Sequence, residues 1–137
     1  MFEKRAHEQY GLEINAGPFA IDSRPALIVE KFAESQGKGE AFHKATMHAY
    51  WQQAKAVDDP QVLQEIAASV GLNTDNFAAV LENPEFDAAV SADIELAQEY
   101  GLTAVPAVVF ADKYLVLGAQ PYEIFRQVVE KVLEEEV

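Results

Sequence analysis

The segment Thr103–Phe110 has the sequence TAVPAVVF, and the expected architecture of the whole chain depends on it. It follows a predicted helix that ends at Gly101, and the turn Ala111–Lys113 separates it from a second apolar run, Tyr114–Leu117. Two short apolar runs on either side of such a turn predict a β-hairpin. The first run is continuously apolar, which is typical of a strand that is covered on both faces inside an α/β sheet.

A proline stands near the start of this predicted strand. Proline belongs at the first position or on an edge, because it cannot donate a hydrogen bond to the ladder. Pro106 fits that position, and its tertiary amide permits a cis bond to Val105 at a cost of about 0.5 to 1 kcal/mol. From the residues alone a trans bond is the default, since only about 5% of such bonds in folded proteins are cis.

Composition is typical of a single globular domain. The chain has 137 residues, of which 50% are hydrophobic and 24% charged, enough apolar material for one core. The apolar runs are too short to cross a bilayer, and charged residues interrupt any signal-peptide pattern, so we expect a cytoplasmic protein without a membrane partner. The net charge of −13 and the lack of a basic stripe argue against nucleic acid as a partner.

The chain contains no cysteine. This excludes disulfides, thiolate chemistry and cysteine-ligated zinc within these residues. His43 and His48 are five positions apart on a predicted helix and therefore lie on different sides of it, which does not suit a shared metal ion. The acidic clusters Asp58–Asp59 and Glu82–Asp87 fall at helix starts, where carboxylates are favoured by the dipole. We expect no metal and no other cofactor.

Capping residues, prolines and glycines divide the rest of the chain into helices. A first helix is predicted over Phe2–Tyr10, and later helices over residues 23–37, 40–56, 59–71, 73–81, 83–101 and from Gln120 onward. Residues 20–101 are thus predicted to form an all-helical block, which the resemblance described next makes a helical insertion. Residues 102–137 are predicted to form a ββα part, and both belong to one domain of residues 1–137.

Three segments carry a resemblance to a known family. They are Ala41–Trp51, which begins AFHKA and ends AYW, Tyr100–Ala107 with the sequence YGLTAVPA, and Lys113–Pro121, which begins KY and ends GAQP. Together they resemble the DsbA-like thioredoxin-fold family and, within it, the FrnE-like branch that is also similar to 2-hydroxychromene-2-carboxylate isomerases. The last two segments, at this separation and after a helical block, form a fairly specific signature.

The resemblance implies an incomplete thioredoxin-like α/β fold, mostly helical, with a hairpin and a closing helix after the insertion. It implies a cis Val105–Pro106 bond. It also makes Ala104, Val105 and Pro106 the substrate-binding residues, with the Val105 main chain hydrogen-bonded to a polypeptide or thiol substrate. Ala104 stands where the family often has glycine.

The chain departs from the family upstream. Family members begin with a strand, a Cys-x-x-Cys at the start of the first helix and a second strand, all before the helix that matches Phe2–Tyr10. The thiolate is the nucleophile of disulfide exchange, so none of the present residues is expected to be catalytic. We expect either a C-terminal part of a longer thiol-disulfide oxidoreductase or a descendant that has lost its N-terminal βαβ segment.

Two other functions remain open at this point. The chain can be a non-catalytic interaction module that associates with itself or binds polypeptide near Pro106. A third interpretation, again from the resemblance, is a glutathione-dependent isomerase of the 2-hydroxychromene-2-carboxylate type, with its contacts largely upstream.

The expected partner is a second copy of the chain. In a thioredoxin arrangement the strand Val105–Phe110 is central, and one of its two neighbours would be the absent first strand. Its unpaired edge is apolar and carries no charge before Asp112, which favours pairing with another chain. We predict a homo-oligomer through this edge, or an edge covered by Leu12–Asn15; a monomer whose own helices cover the strand is the alternative.

Overall fold

Seven helices and two short strands make up the computed structural model, which describes residues 1–137. In chain order they are α1 (Phe2–Tyr10), α2 (Arg24–Ser35), α3 (Gly39–Gln53), α4 (Pro60–Ser69), α5 (Phe77–Leu81), α6 (Pro84–Glu99), β1 (Ala107–Phe110), β2 (Tyr114–Leu117) and α7 (Tyr122–Glu135). They form two compact units, Met1–Ala92 and Asp93–Val137. No helix combines the length and the apolar character that crossing a membrane requires.

Side-chain caps explain where several helices begin. The Asp59 carboxylate accepts a hydrogen bond from the Gln61 N–H at 2.8 Å, directly before α4. Asn83 Oδ1 accepts one from the Glu85 N–H at 2.8 Å, directly before α6. These bonds satisfy main-chain donors that have no partner in the first turn of a helix. Ser23, in contrast, precedes α2 without a side-chain capping bond.

Two predicted helix boundaries were wrong. The helix predicted from Asn73 or Thr74 begins only at Phe77, because Asn73 Oδ1 accepts from the Asp75 N–H at 2.9 Å and closes a local turn there. The helix predicted to reach residue 56 ends at Gln53. Ala54 takes a left-handed conformation with φ 53°, which terminates α3.

The core of the Met1–Ala92 unit lies between α2, α3 and α4. Its largest fully buried side chains are Phe42, Leu63 and Val29. Smaller and neighbouring apolar residues complete it: Ala26, Ala33, Ala49, Val57, Ile66, Ala67, Leu72 and Phe77. Each helix contributes residues from one face, as the helical spacing of apolar positions predicts.

An arginine at the start of α2 is hydrogen-bonded to the first part of α6, residues 84–92, which belongs to the same unit. Arg24 Nε donates to Asp87 Oδ1 at 2.8 Å, and its Nη2 donates to Ser91 Oγ at 2.8 Å and to the Asp87 carbonyl at 3.1 Å. The hydrogen bond from Arg24 lowers the pKa of the Asp87 carboxyl below its ordinary value. The fork geometry of the guanidinium allows three bonds from one side chain.

The segment between α1 and α2 is joined to the end of α3 by main-chain hydrogen bonds. The Asn15 N–H donates to the Trp51 carbonyl at 2.8 Å, the Ala54 N–H donates to the Asn15 carbonyl at 2.9 Å, and the Gly17 N–H donates to the Tyr50 carbonyl at 2.6 Å. The main chain of this segment is therefore engaged by α3. The sheet itself pairs only β1 with β2, so whether Leu12–Asn15 or a second copy covers the free edge in an oligomer stays a prediction.

Gly17 is expected to be intolerant of a side chain. A Cβ atom there would clash with the Lys55 carbonyl oxygen and lie 2.6 Å from the Tyr50 ring, and the carbonyl belongs to main chain that cannot rotate away. Overpacking of this kind costs about 1 to 3 kcal/mol, so Gly17→Ala should lower the free energy of unfolding by that amount in urea titration. Gly39→Ala is the control.

At Gly39 the nearest atom to an added Cβ is the Glu34 Cγ, at 2.7 Å, which is part of a flexible side chain. Gly39 also begins α3, where alanine has the higher helix propensity. The control should therefore cost less than Gly17→Ala. Equal stability of the two variants would contradict the close approach at Gly17.

The Asp93–Val137 unit contains an antiparallel hairpin. Its register pairs Ala107 with Leu117 and Phe110 with Tyr114. The turn residues Ala111 and Asp112 both have positive φ, near 50°. The strand begins at Ala107, two residues later than the apolar run Val105–Phe110 that predicted it.

The prediction that this strand is covered on both faces was wrong. Val108 and Val109 point to opposite faces of the sheet, yet they are 36% and 41% exposed. On β2 only Val116 is buried, while Leu115 is 39% exposed. Within this unit α7 packs on β1, with the rings of Phe110 and Phe125 6.3 Å apart, and a sheet of two strands offers too little area to bury every apolar residue.

Candidate functional site

The residues that the family resemblance singled out form one exposed loop before β1. Ala104, Val105 and Pro106 are all exposed, and the Val105 side chain is 89% accessible. The Val105–Pro106 peptide bond is cis, the geometry that the resemblance implied. The three predicted substrate-binding residues are thus adjacent in space and open to solvent.

Residues after β2 hold this loop in place. The Gly118 N–H donates to the Pro106 carbonyl at 2.7 Å, which extends the hairpin ladder by one bond. Gly118 has φ 80°, a left-handed conformation that only glycine adopts without strain. Gln120 closes the turn, since its main-chain N–H donates to the Gly118 carbonyl and its Nε2 to the Leu117 carbonyl, both at 3.0 Å. The loop is therefore anchored by main-chain bonds at its proline.

The outer edge of β1 offers main-chain hydrogen-bonding groups. Successive residues of a strand direct their main-chain N–H and C=O groups alternately to either side. Because Pro106 is hydrogen-bonded to Gly118 on the β2 side, the N–H and C=O groups of Ala107 and Val109 lie on the side away from β2. The sheet contains no third strand to receive them. Together with the Val105 main chain they form a row that an extended polypeptide can pair with.

The other end of the hairpin is tied to the end of α7. Glu135 accepts hydrogen bonds from the Tyr114 hydroxyl and from Lys113 Nζ, the latter at 3.2 Å. The Tyr114 hydroxyl, and after it Lys113, lower the pKa of the Glu135 carboxyl. Lys131 lies over the Tyr114 ring, 4.7 Å from its centre. Sequence reasoning missed this link, because no pattern relates a hairpin turn to a carboxylate more than twenty residues later.

The side chains of the loop and of β1 are all apolar. The loop and the β1 edge hold no ionisable side chain, and no three residues among the histidines and carboxylates come together in a way that could hold a metal ion. His43 contacts Glu30 instead, with His43 Nδ1 3.1 Å from Glu30 Oε1. What the site presents is shape, main-chain donors and acceptors, and apolar surface.

Comparison with known families gives one match over nearly the whole chain. Residues 3–130 match the model of the DSBA-like thioredoxin domain. Two curated relatives are similar. The uncharacterized protein YwbO of Bacillus subtilis is 26% identical over 125 residues, which cover 89% of this chain and 62% of that protein. The ClpXP adapter protein SpxH of Shouchella clausii is 28% identical over 116 residues, covering 79% of this chain and 39% of that protein.

Solved structures with the same fold extend this result. A probable DsbA oxidoreductase from Streptomyces coelicolor has a TM-score of 0.74 at 28% identity, over 97% of this chain and 58% of that chain. A thioredoxin-like oxidoreductase from Silicibacter pomeroyi has a TM-score of 0.61 at 28% identity, over 86% of this chain and 65% of that chain. The present chain therefore spans less than two thirds of the length of these relatives.

Proposed function

Because the chain belongs to the DsbA-like thioredoxin domain family, we propose that it forms the substrate-docking part of a thiol-disulfide oxidoreductase. Within the family, the segments Tyr100–Ala107 and Lys113–Pro121 support a place in the FrnE-like branch. The substrate is a polypeptide or a thiol.

The observation that carries this proposal is the exposed loop at Val105. A polypeptide in an extended conformation can accept from the Val105 N–H and donate to its carbonyl, as a strand does at a sheet edge. The bond from Gly118 to Pro106 holds the loop before any substrate arrives. A loop that is already ordered loses less conformational entropy on binding, which favours affinity.

The nucleophile of the exchange reaction has to come from outside these residues. Disulfide exchange requires a thiolate, and the chain has no cysteine. The matched relatives are longer than this chain, so their residues outside the matched part leave room for a segment that contains a cysteine. The 137 residues by themselves are redox-inactive under this proposal.

We expect the purified chain to give no disulfide reductase, oxidase or isomerase activity above background. Insulin reduction with dithiothreitol, followed by turbidity, measures the first of these, and reactivation of scrambled ribonuclease measures the last. The physical reason is the missing thiolate. Turnover that persists after extensive removal of contaminating thiols would show that another group of this chain performs the exchange.

A second function is favoured by the open edge of β1. The chain can act as a non-catalytic interaction module that pairs with a second copy through Val105–Phe110, and the matched relative SpxH is named as an adapter protein. The charge of −13 opposes close approach of two copies, but residues 102–111 of the edge carry no charge themselves. Solution mass and the variants described in the Discussion decide between a dimer and a monomer.

A further inference from the structure

A pocket of about 290 Å³ lies between α2 and α3, within the Met1–Ala92 unit. Its volume is near the lower end of the range of about 300 to 1,000 Å³ that is common for small-molecule sites. Among its lining residues are Leu27, Glu30, His43, Met47, Tyr50 and Trp51. None of them takes part in the loop at Pro106, so the function proposed above leaves this pocket unexplained.

The aromatic wall of the pocket is fixed by its neighbours. The rings of Tyr50 and Trp51 meet edge to face with centres 4.9 Å apart. The Tyr50 hydroxyl donates to the Pro18 carbonyl at 3.2 Å, and the Phe2 ring lies 6.2 Å from the Trp51 ring on the other side. Trp51 is nevertheless 38% exposed. An apolar surface of this kind is available to a ligand without rearrangement.

The pocket lining also includes the carboxylate of Glu30, which has hydrogen-bonding capacity left over. Glu30 Oε1 lies 3.1 Å from His43 Nδ1, whereas Glu30 Oε2 has no hydrogen-bond partner in the protein. A carboxylate offers about four acceptor positions over its two oxygens, so one contact leaves most of them unused. The Glu30 side chain is only 27% accessible, so water competes less with a bound cation for its oxygens.

From this combination we propose that the pocket binds a small organic cation, an ammonium group attached to an apolar ring. The ring of the ligand would contact Leu27 and Met47, while the ammonium group would lie between the Glu30 carboxylate and the Trp51 face. Carboxylates and aromatic faces are the two groups that attract ammonium ions in proteins. The net charge of −13 raises the local concentration of any cation and repels anions.

The test uses benzylammonium and benzyl alcohol, two ligands of nearly the same shape that differ in charge. Met47 is one of two methionines and Trp51 is the single tryptophan, so the Met47 methyl and Trp51 indole resonances report directly on the pocket. Met1 is an internal reference. At physiological salt, benzylammonium should shift both resonances and bind about tenfold more tightly than benzyl alcohol. The difference comes from one charged hydrogen bond and one cation–π contact that only benzylammonium can make.

Glu30→Gln should reduce the tenfold preference for benzylammonium to about twofold. Glu34→Gln is the matched control, because it makes the same change of net charge on the same helix. Like Glu30, Glu34 has an ion pair, but it does not line the pocket. Trp51→Leu should also weaken the binding of benzylammonium more than the binding of benzyl alcohol. In this variant the binding is measured from the Met47 methyl resonance alone.

Three results would overturn the proposal. Binding of both ligands with equal affinity would show that the pocket does not select charge. Equal effects of Glu30→Gln and Glu34→Gln would assign any preference to the overall field of the protein. Absence of any shift of Met47 or Trp51 at millimolar ligand would show that the pocket is not a binding site.

Discussion

Replacing Phe42 with alanine is expected to lower the free energy of unfolding by about 3 to 5 kcal/mol, the range for removal of a buried aromatic ring. Phe42 has no accessible surface and lies in the cluster formed by α2, α3 and α4. Its loss leaves a cavity that these helices can fill only in part. Urea or guanidinium titration monitored by far-ultraviolet circular dichroism measures the change.

Phe19→Ala makes the same chemical change at a residue that is 97% exposed. A surface substitution away from special features alters stability by less than about 0.5 kcal/mol, so this control should behave as the parent chain does. If Phe42→Ala cost as little as Phe19→Ala, the packing of α3 against α2 and α4 described above would be wrong.

The second large effect concerns self-association. In a dimer formed through the β1 edge, Val109→Lys should raise the dissociation constant about a hundredfold, because each of two symmetry-related lysines adds roughly 1.4 kcal/mol of unfavourable free energy. A lysine at a sheet edge resists pairing, since its charge would have to be buried beside its mate. Sedimentation or light scattering over a concentration series measures the change.

Leu115→Lys is the matched control for the edge. Leu115 pairs with Val109 in the ladder and has nearly the same exposure, but it belongs to β2. The control should keep the dimer of the parent chain. If Leu115→Lys dissociated the dimer and Val109→Lys did not, the interface would lie on β2 and not on β1. If the parent chain were monomeric at high micromolar concentration, the proposal of self-association would be wrong.

The helices could be predicted from sequence because their ends are set by local chemistry. Gly11 ends α1 in a left-handed conformation, and Asp59 with Pro60 begins α4, as their residue types predict. Boundaries failed where a local bond competed with the helix, as at Asn73, or where the helix ended without a glycine, as at Ala54. Periodicity does not contain that information.

The hairpin shows a different limit of sequence reasoning. Its turn and its two strands follow from composition, but the degree of burial depends on how many strands stand beside it, which no local pattern gives. Val108 and Val109 have the composition of a central strand and yet retain more than a third of their accessible surface. The continuous apolar run predicted a covered strand, whereas in this chain it belongs to an open edge.

The loop at Pro106 was singled out by resemblance and not by physical pattern. No spacing rule distinguishes Pro106 from another proline at the start of a strand, and only the family signature assigned a role to Ala104 and Val105. The pocket beside Trp51 had no signal of its own, because Tyr50 and Trp51 are also the residues that a helix core would contain. Their partial exposure becomes visible only once α2 and α3 are placed.

The measurement that tests the central claim most directly is a titration of the isotope-labelled chain with an extended cysteine-containing peptide, followed by amide resonances in two-dimensional NMR. The proposed function predicts that the amides of Val105 and Ala107 shift first and most, and that the same peptide with N-methylated amides binds far more weakly, because it lacks donors for the Val105 carbonyl. Shifts confined to the Met1–Ala92 unit, or equal binding of the N-methylated peptide, would contradict a docking role for this loop.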